Sequence, residues 1–335
     1  MNRSKQAGMG IKTIVVLLVA LPLASVRFTE AQQQAKIPKI GWLGTGSSSE
    51  PGSGLESFRR EFGELGYVDG KNIAYEFRYA DNKLERLAAL ADELVRLKVD
   101  VLLTTGTPEA RAAKNATRTI PIIFFAVTDP VAAELVDSLA RPGGNITGFT
   151  TMGAVLAGKR LELLKETVPK LSRVAVLWDS QVQGTAQEWK ESQLPARELG
   201  LQLHSMEVSS ADKYEGAFKE ATKARSGALA VIASPLAVSN QKRIVDLATK
   251  NRLPAIYHRG DWVARGGLMS YGADGNERFR RGAVFVDKIL KGTKPADLPV
   301  EAPTKFEFII NLKAAKQIGL TIPPNVLVRA DRVIK

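Results

Sequence analysis

Residues 99–130 read VDVLLTTGTPEARAAKNATRTIPIIFFAVTDP, and this stretch decides the fold class. Val99, Val101, Leu102 and Leu103 form a short, nearly continuous apolar run, as in a strand covered on both faces. The run ends in Thr104-Thr105-Gly106-Thr107-Pro108, after which Glu109 to Asn115 has helix-forming composition. Pro108 suits a first helical position, where a missing N–H costs nothing, and Thr107 is placed to cap. A second apolar run, Ile120 to Val127, ends in Thr128-Asp129-Pro130 ahead of another helix-like segment. Two strand-to-helix turns thus lie in one β-α-β unit. Such turns present free N–H groups and the positive end of a helix dipole, which suits a carboxylate or another anion. Capping alone is the competing role for both Thr107 and Asp129.

The same grammar extends in both directions. Ile37 to Leu43 reads as a strand, followed by the hydroxyl-rich turn Gly44 to Ser49 and a helix carrying Leu55, Phe58, Phe62 and Leu65 up to Gly66. The glycines Gly41, Gly44 and Gly46 do not follow the order of a dinucleotide fingerprint, and no phosphate-loop motif occurs. Asn72 to Tyr79 alternates as a strand and Leu84 to Leu97 as an amphipathic helix. After the opening unit, Val131 to Leu139 is expected as a helix and Ile146 to Thr150 as a strand. The pattern then restarts: helix Leu156–Val168, strand Arg173–Trp178, helix Thr185–Leu199, strand Leu201–Val208, a helix capped by Asp212, strand Ala228–Ala233, helix Val238–Lys250 and strand Pro254–Tyr257. Two α/β halves of ordinary domain size follow, each with a parallel sheet between helices. The remainder (strand Leu268–Tyr271, helix Asn276–Leu290, strand Phe306–Asn311, helix Leu312–Ile318) is too short for a third core and is expected to rejoin the halves. Chain crossing between two lobes makes a hinge, and ligands lie in the cleft.

At the N-terminus Arg3, Lys5 and Lys12 precede Ile14 to Leu23, an apolar run too short to span a bilayer comfortably. Thr29-Glu30-Ala31 offers a small-residue cleavage site, so residues 1–31 are expected to be a secretory signal peptide. The chain has no cysteine, which excludes disulfides, thiolate metal sites and a lipidated cysteine, and export without a lipid anchor points to the periplasm. The formal charge of +12 falls to +9 beyond residue 31, with 43 basic and 34 acidic residues, dispersed rather than clustered. Neither a basic stripe nor a reading module for nucleic acid is present.

With these residues placed, the sequence resembles the ABC-transporter substrate-binding protein family that includes tryptophan- and tyrosine-binding homologues. The resemblance is carried by ELGYVDGKNIAYEFRYA (64–80), LADELVRLKVDVLLTTGTPEARAAKNAT (90–117) and IPIIFFAVTDPVAAELVDSLARPGGNITG (120–148). It continues in GKRLELLKETVPKLSRVAVLWD (158–179), RLPAIY (252–257), GGLMSYG (266–272) and DKILKGTKPADLPVEAPTKFEFIINLKAAKQIGLTIPP (287–324). Departures lie at 44–53 and 180–190, two loops expected to face the cleft. The resemblance implies a type I periplasmic-binding-protein fold: two Rossmann-like lobes with parallel sheets, joined by a hinge of three segments. It also implies a trapped small molecule and delivery to an inner-membrane permease driven by an ATPase. The expected division is lobe 1 from 36–150 plus 262–300 and lobe 2 from 151–261 plus 301–335. A monomer without a cofactor is expected.

An enzyme is the rival class. His204 and His258 are the only histidines, neither belongs to a triad pattern, and no His/Asp/Glu cluster has metal spacing. Asp92 and Glu93 lie on a solvated helix face. In open α/β sheets the carboxyl ends of the strands carry the site. These ends supply Thr45, Gly46, Ser47, Thr105, Gly106, Thr107, Thr128 and Asp129 from the first half. The second half supplies Asp179, Ser180, Ser234 and Pro235, with Tyr257 and Asp261 near a crossing and Tyr271 beyond it. The Thr105–Thr107 turn suits a carboxylate and Asp129 or Asp179 an ammonium. Trp42, Trp178, Tyr257 or Tyr271 can flank an apolar body, although Trp42 and Trp178 equally suit core packing.

Overall fold

Two sheets with the same internal strand order organise the chain. The computed structural model describes residues 36–47 and 53–335, so the expected signal peptide lies outside the described residues. The first lobe contains β1 (Lys39–Gly44), α1 (Ser53–Glu64), β2 (Ala74–Tyr79), α2 (Leu87–Arg96), β3 (Val101–Thr104), α3 (Thr107–Ala116), β4 (Ile122–Val127) and β5 (Ile146–Thr150). Its five strands are parallel, in the order β2-β1-β3-β4-β5, with Ile40 opposite both Tyr75 and Val101.

The second lobe follows with α4 (Gly153–Thr167), β6 (Arg173–Asp179), α5 (Gln183–Glu198), β7 (Gln202–Val208), α6 (Tyr214–Lys223), β8 (Ala228–Val231), α7 (Pro235–Ser239), α8 (Gln241–Lys250) and β9 (Ala255–Tyr257). Then come α9 (Gly260–Ala264), β10 (Met269–Ala273), α10 (Glu277–Leu290), β11 (Phe306–Asn311), α11 (Leu312–Gln317), α12 (Pro324–Leu327) and β12 (Arg332–Ile334). The second sheet runs β12-β11-β10-β9-β8-β6-β7, and only β10 with β11 is antiparallel.

Within the second sheet, β7-β6-β8-β9-β10 repeats the order of the first. This corrects the expectation that residues 262–300 as a whole rejoin the first half. Strand β10 pairs with β9, Met269 against Ile256, and supplies the fifth strand that the repeated order requires. Helix α10 does return to the first lobe. Its face of Phe279, Ala283, Phe285, Val286 and Ile289 packs with α1 and the side chains of β1, β3 and β4. Each large apolar side chain fully buried there contributes about 1.5–3 kcal/mol. Gly54 in the first turn of α1 is required by this packing: a Cβ added there would lie 2.3 Å from the Phe279 ring.

Strand periodicity explains the layering. In the first lobe Leu102, Ile122 and Phe124 face α2 and α3, while Trp42, Val101, Leu103, Ile123 and Phe125 face α1 and α10. In the second, Val174, Val176, Ala228 and Ala230 face α4 and α5, and Ala175, Leu177, Leu229 and Val231 face α6 and α8.

Residues 131–139 form turns rather than the expected helix. Asp129 Oδ1 accepts from the N–H groups of Val131 and Ala132, and Glu134 takes a left-handed φ of 56°, which stops the turn after one cycle. Pro130 therefore starts no helix, and only one of the two turns read from the sequence carries a helix dipole. Three segments cross between the lobes: Thr150 to Gly153, Ala273 to Glu277, and Glu301 to Phe306. The last is held against β5 by the bridge between Phe149 and Glu301.

Candidate ligand-binding cleft

The carboxyl ends of both sheets open onto one cavity of about 1280 Å³. In each sheet the strand order reverses at the first strand, β1 against β3 and β6 against β8, which is where open α/β sheets bind ligands. The first lobe lines the cavity with Thr45, Gly46, Ser47, Thr105, Gly106, Thr107 and Thr128, and with the aromatic rings of Trp42, Tyr79, Phe149 and Phe279. Trp42 stacks on Phe279 and Phe125 at 6.3 and 5.8 Å, so it serves the core and the cavity wall together. The second lobe adds Val182, Thr185, Glu188, Ser234, His258, Arg259 and Asp261. The lobes also touch directly: Ser239 Oγ donates to Asn82 Oδ1 at 3.0 Å, and Arg111 donates to Gln183.

Glu109 organises the first-lobe loops, and sequence reading missed it. Its Oε1 accepts from the Thr45 N–H (3.0 Å) and hydroxyl (2.5 Å), both buried, and from the part-buried Thr105 hydroxyl (2.7 Å). Its position in the first turn of α3, four residues after Thr105, was the available signal. Because Thr45 and Thr105 spend their hydroxyls on Glu109, they are partly committed before any ligand arrives. Thr107 is not. Gly106 is the residue that flanks α3, no side chain caps the helix, and the Thr107 hydroxyl has no hydrogen bond among the described residues. The capping role expected for Thr107 is therefore corrected.

Several predicted positions lie elsewhere. Asp129 does not line the cavity, because its carboxylate is engaged by the Val131 and Ala132 N–H groups. Asp179 is buried below the wall and accepts from the Gln181 N–H at 2.9 Å, with burial raising its pKa against Gln181 and Ser234. The Ser180 N–H donates to the Val208 carbonyl. Tyr257 is fully buried and stacked on Trp262 at 4.7 Å, and burial raises its pKa. Tyr271 packs on the second-lobe core beside Phe306. Trp178 stacks on Trp189 and donates to Ser205, away from the cavity.

The far side of the cavity is charged, which the strand-end rule did not indicate. Arg160 of α4 donates to Glu188 of α5 at 2.7 Å and to the Tyr271 carbonyl at 3.0 Å, with both side chains of the pair buried. Burial lowers the Arg160 pKa and raises that of Glu188, each partly offset by the other. Arg259 grips Asp261 through two bonds of 2.8 and 2.6 Å, and Gln241 donates to the same carboxylate at 2.9 Å. Although burial opposes ionisation of Asp261, Arg259 and Gln241 hold its pKa below the usual carboxylate range. His258 also lines the cavity. Burial, then Arg259 and Arg160, push its pKa well below the ordinary value, and its Nδ1 is buried without a partner. The nearby Asp261 is engaged by Arg259 and Gln241, so no carboxylate bonds the imidazole Nδ1 as a general base's orienting partner would. Among the described residues no cluster of metal-ligating side chains occurs, and no helix is long and apolar enough to cross a membrane.

Comparison with known proteins agrees with this geometry. A tyrosine-binding protein of Clostridioides difficile (strain R20291) is 31% identical over 275 residues, covering 79% of this chain and 76% of that protein. The structure of an ABC domain in complex with L-Trp from Streptococcus pneumonia matches with a TM-score of 0.80 at 27% identity, over 89% of this chain and 99% of that one. A ligand-free, open substrate-binding protein with adhesive properties from Clostridium difficile, also 27% identical, matches with a TM-score of 0.63 over 89% of this chain and 100% of that one. More distant solute-binding proteins at 14% identity share the type I periplasmic-binding-protein fold of two Rossmann-like lobes. The model of the ABC transporter substrate-binding protein family matches residues 55–334, and the chain belongs to that family.

Proposed function

We propose that the protein is the extracytoplasmic solute-binding component of an ABC importer, closing on a small carboxylate-bearing molecule in the interlobe cleft and delivering it to an inner-membrane permease. An aromatic or branched amino acid, or a related aromatic acid, is the favoured ligand class. The observation that carries this reading is the end of α3: the Thr107 hydroxyl and N–H groups that no side chain caps open onto a cavity that the rings of Trp42, Tyr79, Phe149 and Phe279 also line. A carboxylate there gains charge-assisted hydrogen bonds, each worth roughly 1.5–3 kcal/mol, and the rings take the apolar body. The higher similarity to a Trp-bound relative than to an open, ligand-free one at equal identity supports a closed arrangement of the lobes. The tyrosine-binding relative supports the ligand class. On this reading the protein acts as an exported monomer that releases its ligand unchanged, with Thr45, Gly46, Ser47, Thr105, Gly106, Thr107, Thr128, Ser234 and Asp261 around it.

A thermal-shift screen of the purified protein over amino acids and aromatic acids tests the reading. A ligand at about 100 times its Kd adds about 2.7 kcal/mol to apparent stability. A rise in Tm with tyrosine, tryptophan or an aromatic acid is expected. Silence across the whole panel, or recovery of a chemically altered compound, overturns it.

A further inference from the structure

Four carboxylates on the charged side of the cavity are each matched by an arginine. Glu188 is matched by Arg160, Asp261 by Arg259 and Gln241, Asp274 by Arg280, and Glu301 by Arg281. Arg278, in the first turn of α10, lines the same cavity and has no hydrogen-bond or ion-pair partner among the described residues. Its Nε is buried without an acceptor. Burial, reinforced by the nearby Arg259, lowers its pKa to about 9, so it remains charged at neutral pH. Arg265 also lines the cavity, but it is exposed and solvated by water. The guanidinium is half-buried and lies 5.2 Å over the Phe279 ring, with no carboxylate paired to it, and its planar fork of donors suits a carboxylate.

The two ends of the site are well separated. Thr107 and Thr128 face Gly184, just beyond β6, whereas the side chains around Arg278 (His258, Arg259 and Asp261) follow β9. Strand β8 lies between β6 and β9, so the strand ends behind these two corners are two strand spacings apart, about 10 Å. The wall of Trp42 and Phe279 belongs to the same cavity. We propose that Arg278 receives an oxyanion at the end of the ligand opposite the carboxylate held by the Thr105–Thr107 turn, so that the preferred ligand is a small aromatic acid with a second acidic group. This rests on the placement of the first carboxylate given above. Because α10 belongs to the first lobe and His258 and Arg259 to the second, the second oxyanion sits where both lobes reach it.

Titration calorimetry with phenylalanine and para-carboxyphenylalanine, on the wild type and on Arg278→Gln, tests the proposal. The wild type should bind the para-carboxy compound at least about tenfold more tightly than phenylalanine. In Arg278→Gln that preference should collapse to within about twofold. Equal affinities in the wild type, or a preference that survives in the variant, overturns the assignment. Should neither compound bind, the carboxylate-turn reading falls, and the thermal stability of ligand-free Arg278→Met decides the matter. Removing an unmatched, half-buried charge should raise Tm by about 3 °C. A lower Tm shows instead that the guanidinium is structural and overturns the proposal.

Discussion

Gly184 of α5 and Thr107 of α3 face each other across the interlobe cleft, close enough that a Cβ on Gly184 would stand 3.6 Å from the Thr107 hydroxyl and 3.3 Å from that of Thr128. A methyl group here already presses on the Thr128 hydroxyl, and a larger side chain does not fit. Gly184→Leu should therefore hold the lobes apart, lowering ligand affinity at least about tenfold. Stability of the ligand-free protein should hold or rise slightly, because a helical glycine costs about 0.8–1.0 kcal/mol relative to alanine. Calorimetric titration beside a urea denaturation curve separates the two effects.

Thr107→Val keeps the volume and removes the hydroxyl. Since that hydroxyl caps nothing, stability should change by less than about 0.5 kcal/mol. Affinity for the carboxylate ligand should fall about tenfold, the equivalent of one hydrogen bond at 1.4 kcal/mol per decade. Unchanged affinity would remove Thr107 from the site.

The Arg160–Glu188 pair is buried beneath the cleft floor, where losing one partner strands the other. Arg160→Met should cost about 3–5 kcal/mol, whereas the double variant Arg160→Met with Glu188→Leu should recover most of it. A double-mutant cycle from chemical denaturation reads the difference. Equal losses in the single and double variants would show that neither charge depends on the other.

Acid should loosen the fold through His258. Its folded pKa lies well below the value near 6.5 of an unfolded histidine, so between those two values the unfolded chain binds a proton that the folded chain refuses. Stability therefore falls as pH drops from about 6.5, by at most about 1.4 kcal/mol per pH unit. The groups around the ring are Arg259, Arg160 and Arg278, with Asp261 the one nearby acid, and the three cations reinforce the effect. His258→Gln should flatten this part of the stability–pH curve, as followed by thermal denaturation between pH 7 and pH 5.

Strand periodicity and turn chemistry made the two sheets legible, because short apolar runs bounded by turn residues, such as Val101–Leu103 and Ala228–Val231, admit few alternatives. The limits were tertiary. Nothing local to Leu268–Ser270 shows that β10 completes the second sheet; the register against β9 decides it. Residues 131–139 have helical composition, but the Asp129 carboxylate binds the N–H groups that would begin the helix. In the cleft, the strand-end rule located the hydroxyl turns yet missed Glu109, Arg160, Glu188 and Arg278. These reach the cavity from within helices, whose side chains the strand-end rule does not consider.

The contact between Gly54 and the Phe279 ring joins two positions 225 residues apart, with no slack between them. Among relatives, the two positions should vary as a pair: a chain with a Cβ at the place of Gly54 should carry a smaller residue than phenylalanine at the place of Phe279. That exchange would also thin the ring stack behind Trp42. The glycine thereby becomes an inherited marker of cleft shape, readable from an alignment before any relative is crystallised.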